Sequence, residues 1–320
     1  MERIDLVYLW VDGNDAKWLE AKHKAQIECG FALDKQATAK GRFVDNQELR
    51  YSLRSVEKYA PWIGTIFIVT ADQCPVWLNR EHPKVRLISH RDILPVDYLP
   101  TFNSSAIEMA LTRIDGLSER FLFANDDMFL RKPVGPEFFF NAEGMPIARF
   151  ARHISTKQSL YLGKVRRAQS LVAERFGGKY ERQPHHNFDA YLKSDVEACL
   201  RAFAEEAEAT RSHRFRKAEE FHRSAWLYYA LSQGRAEERV VSRYGAAKSF
   251  GEKLGCWLRG QYCTDSAEVG LHRGRLHRRL EHYNPRLFCL NDTERTTDTE
   301  REEMVALLEK LYPEKSGFEL

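Results

Sequence analysis

Four short apolar runs, each closed by a polar or acidic cluster, constrain this chain more than any other feature. Ile4 to Val11 is rich in β-formers and ends in Asp12-Gly13-Asn14-Asp15. Thr65 to Thr70 is followed by Asp72-Gln73, Val85 to Ser89 by His90 to Asp92, and Phe121 to Ala124 by Asn125-Asp126-Asp127. Short apolar runs bounded by turn residues read as buried strands. The intervening sequence has helical spacing. Leu49, Leu53, Val56 and Tyr59 recur within Asn46 to Tyr59, and Pro61 stops the pattern. Lys17 to Cys29 and Ser104 to Ile114 read as helices, the latter capped by Asn103 or Ser104. Strands alternating with helices predict a parallel α/β sheet. All four clusters then fall at strand carboxyl ends, the edge at which open α/β sheets bind ligands.

The second half reads differently. Gln158 to Phe176, Phe188 to Thr210, Glu219 to Gln233 and Thr299 to Tyr312 are expected to be helical, and Gly177-Gly178 breaks the pattern. Phe31 to Arg42 is polar and expected to be a loop. The organisation expected is a 1–150 α/β core and a 151–320 mostly helical part that returns to the same site. A chain of 320 residues with 43% hydrophobic and 12% aromatic content can bury a large core, which excludes disorder. With 49 Lys+Arg against 46 Asp+Glu, charge alone does not argue for nucleic acid. The six cysteines form no CxxC pair, which gives zinc ligation little support and fits a reducing compartment. The first residues lack the basic and apolar regions of a signal peptide, and no run approaches the ~18 to 20 apolar residues of a membrane span. A cytoplasmic setting is expected, with association at a membrane surface left open.

Several residues suggest chemistry. Paired carboxylates at a strand end, Asp126 and Asp127, can hold Mg²⁺ or Mn²⁺ beside a diphosphate; a solvated turn is the plainer reading. Asp45, Asn46, Glu48 and Arg50 crowd a helix start, where free N–H groups bind anions. Arg50 and Arg54, at i and i+4, could face phosphate together, or simply form surface ion pairs. His185-His186 could supply a base, a metal ligand or a phosphate contact. Arg214 and Arg216 flank Phe215 and would point the same way from a strand. The basic run from His272 to His282 could meet a polyanion, anionic lipid or nucleic acid, or be a solvated helix face.

Taken together and in order, these segments resemble the Stealth family of capsular polysaccharide phosphotransferases. That family also includes the catalytic subunit of the GlcNAc-1-phosphotransferase that acts on lysosomal enzymes. Its first block resembles IDLVYLWVDGND, Ile4 to Asp15. Its second resembles Arg42 to Pro133, with RFVDNQELRYSLRSVEKYAPW, IFIVTADQ, HRDILP, LPTFNSSAIE and FLFANDDMF. The third is matched by His186 with Lys193 seven positions on, although Phe188 stands where proline is usual, and by Thr210 to Arg216. The fourth resembles Phe288 to Asp292, with YPEKSGFE at Tyr312 to Glu319.

The resemblance implies a GT-A-like core with helical insertions, and transfer of hexose-1-phosphate rather than of the sugar alone. The donor would be a nucleotide-diphosphate sugar and the acceptor a glycan or capsule polymer, in capsule or exopolysaccharide synthesis, with no role for nucleic acid. On this reading Asp126 and Asp127 hold Mg²⁺ or Mn²⁺, and Arg216 and Arg50 contact phosphates. His186 is the first choice for general base or phosphate stabiliser, with Asp45 and Glu48 as further candidates beside Asn46. Trp10, Asp12 and Gly13 would edge the nucleotide pocket. Asn103, Glu108 and Asn291-Asp292 match family positions without a resolved role. The rivals are a conventional GT-A glycosyltransferase and a non-catalytic polyanion binder built on Arg273 to Arg279.

Overall fold

A computed structural model describes residues 2–30, 43, 45–151, 153–154, 157, 159–293 and 295–320. The loop expected over Phe31–Arg42 lies outside the described residues. The central sheet is built from β1 (Ile4–Leu9), β2 (Ile66–Thr70), β3 (Val85–Ser89), β4 (Arg120–Asn125) and β7 (Asp189–Leu192), in the order β3-β2-β1-β4-β7. The first four are mutually parallel, and β7 runs antiparallel beside β4.

Strand periodicity divides the core. Leu6, Tyr8, Ile66, Ile68, Leu122 and Ala124 face one side, where Leu49, Leu53 and Val56 of α2 (Glu48–Tyr59) pack. Val7, Phe67, Val69, Phe121 and Phe123 face the other. There they meet Ala168 and Val172 of α5 (Leu160–Phe176) and Trp226 of α8 (Ser224–Ser232). Apolar cover on both faces is why these strands are continuous apolar runs rather than alternating ones. Each fully buried Leu or Phe side chain contributes about 1.5–3 kcal/mol.

A second sheet, β5-β10-β9, is formed by Met128–Leu130, Leu287–Asn291 and Ser266–Gly270. One face carries Met128, Leu130, Leu287 and Cys289 into the main core. The other packs Phe129, Phe288 and Leu290 against α10 (Leu276–Tyr283) and α11 (Asp298–Leu311). A short parallel pair joins β6 (Ile147–Phe150) to β8 (Glu237–Val240).

The mixed α/β architecture and the parallel strands agree with the sequence reading, and the second half corrects it in two places. The helix expected over Phe188 to Thr210 is β7 followed by α6 (Lys193–Ala202) and α7 (Ala204–Arg211). Phe188, Ala190 and Leu192 face the first cluster while Tyr191 faces the second, the period of a strand. Arg214 to Arg216 is not a strand; its Arg214 carbonyl accepts from the Phe102 N–H (2.8 Å) in an irregular segment. No helix among the described residues is long and apolar enough to cross a membrane.

Candidate functional site

Strand β1 is central, with β2 and β3 on one side and β4 on the other. The chain therefore switches direction between β1 and β4, and a crevice opens at their carboxyl ends. Leu9 of β1 is in register with Asn125 of β4, which brings the residues after each strand to one edge.

On the β1 side the backbone is locked. The Asp12 N–H donates to Gln73 Oε1 (3.0 Å), and Gln73 Nε2 donates back to the Asp12 carbonyl (2.9 Å). The Gly13 N–H donates to the Phe43 carbonyl (2.6 Å), and a Cβ at Gly13 would lie 2.0 Å from that oxygen. Only glycine permits this approach. Asp15 then caps α1 (Ala16–Glu28) through the Trp18 N–H. The Trp10 indole is buried near the Asp45 carboxylate without reaching good hydrogen-bond geometry.

The segment before α2 folds on its own carboxylates. Asp45 Oδ1 accepts from the Gln47 N–H (2.9 Å), and Glu48 accepts from both the Asn46 N–H (2.6 Å) and Asn46 Nδ2 (2.8 Å). Glu48 is buried. Burial pushes its carboxyl up to about 7, the Asn46 bonds oppose that, and the Asp45 charge adds to it. Burial also raises Asp45, with the nearby Asp12 charge contributing.

The turn between β4 and β5 carries Asp126 and Asp127, both half-buried. The Leu290 N–H of β10 donates to the Asp127 carbonyl (3.0 Å) and fixes this turn. Burial and then the Asp127, Glu48 and Asp45 charges hold the Asp126 carboxyl well above the ordinary range. Burial raises Asp127 as well, partly offset by His186. Asp127 Oδ1 is buried with no hydrogen-bond partner. Among the described residues, no Lys or Arg forms an ion pair with Asp12, Asp45, Glu48, Asp126 or Asp127, so nothing in this group compensates the negative charge. Such a cluster favours a bound cation.

The second half brings its own residues to this edge. His186 precedes β7; its N–H donates to Glu268 Oε1 of β9 (2.9 Å), and its Nε2 lies 3.4 Å from Asn125 Nδ2. Ligand atoms of Asp127, His186 and Cys289 lie within 4.8 Å of one another, close enough to share a metal ion. His185 instead bonds Ser266 Oγ (2.8 Å), so the geometry separates the two histidines. Lys193 follows the far end of β7, beyond the Leu192–Arg120 pairing, at the opposite edge of the sheet.

Other candidates are placed elsewhere. Arg50 Nε and Arg54 Nε both bond the buried carboxylate of Glu319, at 2.5 and 2.7 Å, so neither guanidinium is free to face phosphate with the other. The ion-pair alternative describes them. Asn103 is fully buried; it caps α4 (Ser104–Glu108) and donates to Glu220 Oε1 (2.6 Å). Glu108 is also buried and faces Arg223 at 3.8 Å, and Asp292 is held by Arg301 (2.7 and 3.2 Å). The side chains of these three are engaged by other groups of the protein. Arg216 donates to Ser104 Oγ (2.6 Å) and has no acidic partner among the described residues. Neighbouring Phe215 stacks on Phe102 in a cluster with Trp18, Val11, Phe43 and Ala71, docking the segment over the ends of β1 and β2.

Sequence reading missed Glu268 and Cys289. Each is a single residue inside an apolar strand, where a polar side chain gives no signal until its neighbours are known. It also missed the buried network of Arg223, Asp189, Lys164 and Glu220 behind the site.

Residues 2–27 match the family described as "Stealth protein CR1, conserved region 1", and residues 42–148 match "Stealth protein CR2, conserved region 2". The exopolysaccharide phosphotransferase SCO2594 of Streptomyces coelicolor is 35% identical across 99% of this chain and 51% of its own length. The capsular polysaccharide phosphotransferase fcs1 of Haemophilus influenzae is 33% identical across 91% of this chain and 78% of its own. CpsY of Mycobacterium tuberculosis, an exopolysaccharide phosphotransferase, is 32% identical across 97% of this chain and 57% of its own. The chain thus spans about half the length of the first of these relatives. A crystallised galactosyltransferase, LgtC with donor and acceptor sugar analogs, aligns over 97% of this chain and 95% of its own at 10% identity and a TM-score of 0.45, too distant to carry an argument.

Proposed function

The chain belongs to the Stealth family, and on that premise we propose that it moves a hexose-1-phosphate from a nucleotide-diphosphate sugar to a glycan hydroxyl. In this reaction the acceptor oxygen bonds to the sugar-side phosphorus, and the bond from that phosphorus to the bridging oxygen breaks. A nucleoside monophosphate leaves, a phosphodiester forms, and the anomeric C–O bond is retained. The observation that carries the reading is the uncompensated carboxylate group of Asp45, Glu48, Asp126 and Asp127 at the sheet edge, with His186 beside it.

The buried, unpartnered Asp127 Oδ1 fits a cation-binding role. Asp126 and Asp127 would hold Mg²⁺ or Mn²⁺, hard cations that suit carboxylate oxygens. When bound, the ion would neutralise charge on the donor diphosphate. His186 is the proposed acceptor of the hydroxyl proton, its ring lying beside Asn125 at the acidic edge of the sheet. Glu268, bonded to the His186 backbone, sets its position. Trp10, Asp12 and Gly13 would edge the nucleotide, on a loop that Gln73 and Phe43 hold rigid. Arg216 would meet the phosphates from across the crevice, and Arg50, committed to Glu319, takes no such part in this reading.

Incubation with Mg²⁺ or Mn²⁺, a panel of UDP- and GDP-sugars and short capsule-type acceptors tests this. Release of nucleoside monophosphate, abolished by EDTA and by Asp127→Ala, is the expected result. Release of nucleoside diphosphate would identify a conventional glycosyltransferase and overturn the proposal. Salt-dependent binding of polyanions without turnover of any donor would favour the binding-protein rival.

A further inference from the structure

Helix α9 (Phe250–Leu258) carries an apolar face that the fold leaves uncovered. Phe250, Leu254, Trp257 and Leu258 are 81%, 42%, 64% and 70% exposed. They stand at i, i+4, i+7 and i+8, so they share one arc about 100° wide. The opposite side holds the helix to the body through Cys256, buried in a small cluster with Ala246 and Cys263. A contiguous outward face of Phe, Leu and Trp costs solubility and marks an interaction surface.

The charge around this face selects the partner. Lys248 and Lys253 are exposed and form no ion pair among the described residues, while Arg259 turns back onto Gln261 and Cys256 and Arg243 lies over the Tyr262 ring. Glu252, the one acid within this helix, accepts from the Lys248 N–H at its start (2.6 Å). Exposed Lys248 and Lys253 beside an apolar helix face, with tryptophan among the apolar residues, match an anionic lipid surface. A helix of nine residues is about 13 Å long, which suits lying in the headgroup region rather than crossing a bilayer.

We propose that α9 is a membrane-surface anchor that seats the protein on anionic lipid. Beyond its transferase reading, this assigns a second surface with its own ligand. The helix is followed by β9, which carries Glu268 at the His186 end of the site.

Sedimentation of the full chain with phosphatidylglycerol-containing vesicles and with pure phosphatidylcholine vesicles tests the anchor. The chain should bind the anionic vesicles and bind them less well at high salt. Lys248→Gln and Lys253→Gln should each weaken binding roughly fivefold. Phe250→Ser with Trp257→Ser should weaken it by roughly tenfold or more. The circular dichroism spectrum of that double variant, and its turnover of a soluble acceptor, should match the parent. These side chains lie outside the site, so the transferase reading can fail while the anchor stands, and the reverse. Absence of vesicle binding, or equal binding by the Phe250/Trp257 variant, would overturn the anchor. So would a dimer in sedimentation velocity that the same variant dissolves, because the face would then be an interface between copies.

Discussion

The Glu48 carboxylate is the most quantitative handle on the acidic site. It is 6% exposed and surrounded by the Asp45 and Asp126 charges, and its carboxyl is pushed up from 4.5 to about 7. An acid with a raised folded pKa is held protonated by the folded state. Stability is therefore unpenalised below pH 4.5, falls as pH rises from 4.5 to 7, and carries the full penalty above 7. At about 1.36 kcal/mol per pKa unit the penalty is about 3 kcal/mol. Glu48→Gln removes it at pH 8. The amide can accept only one of the two Asn46 hydrogen bonds and gives up a favourable charge at a helix N-terminus, which returns about 1–2 kcal/mol. The net gain is then about 1–2 kcal/mol at pH 8, against a loss of about 1 kcal/mol at pH 4. Unfolding entropy of about 2.1 cal/mol/K per residue over 320 residues makes this a rise of about 2 °C in Tm at pH 8 and a fall of similar size at pH 4. Scanning calorimetry in EDTA at both pH values measures it. Added Mn²⁺ should erase the advantage at pH 8, because a bound cation stabilises the parent more than the variant. Equal Tm shifts at the two pH values, or a lower Tm at pH 8, would refute the reasoning.

Three further outcomes are expected. Asp127→Ala should lower turnover roughly 10³-fold and abolish the rise in Tm that Mn²⁺ gives the parent, both read on one preparation. Gly13→Ala places a methyl 2.0 Å from the Phe43 carbonyl, so the loop must shift; a loss of about 1–3 kcal/mol in a thermal melt and a raised KM for the donor should follow. Glu319→Ala leaves Arg54, whose side chain is 6% exposed, with the Tyr312 carbonyl at 2.7 Å and no carboxylate nearer than Glu309 at 3.6 Å among the described residues, and should cost about 3–5 kcal/mol in urea denaturation. Burial pushes the Glu319 carboxyl up, but bonds from Arg54, Ser316 and Arg50 overcome this and bring it down to about 2. Its contribution is thus present above pH 4.5 and lost as pH falls toward 2, so the parent should be more acid-labile than Glu319→Ala over that window.

Much of the site was legible because strand ends announce themselves. An apolar run of five or six residues needs cover on both faces, and its polar stop lands at the sheet edge whatever the tertiary detail. Asp12, Gly13, Asp126 and Asp127 were placed at that edge in this way. Helical spacing likewise located α2 and α11 to within two residues. Phe188–Leu192 was misread because five residues of mixed polarity, running straight into a real helix, do not distinguish a 2.0 period from a 3.6 period. The ion pair of Arg50 was not legible for a different reason. Its partner, Glu319, lies at the other end of the chain, and a helix-surface arginine looks the same in sequence whether it meets a ligand or a carboxylate of its own protein.

The sequence by itself determined the family, the α/β class and the edge of the sheet that carries the acidic residues, since each depends on local pattern or on contiguous motifs. Only the tertiary structure decided which residues share the site. His186 rather than His185 reaches Asp127, Glu268 and Cys289 join it from strands late in the chain, and Asn103 is buried against Glu220. Those outcomes depend on strand register and on pairings between β4, β7, β9 and β10. Such pairings are set by burying two sheet faces at once, a constraint that no single stretch of the chain contains.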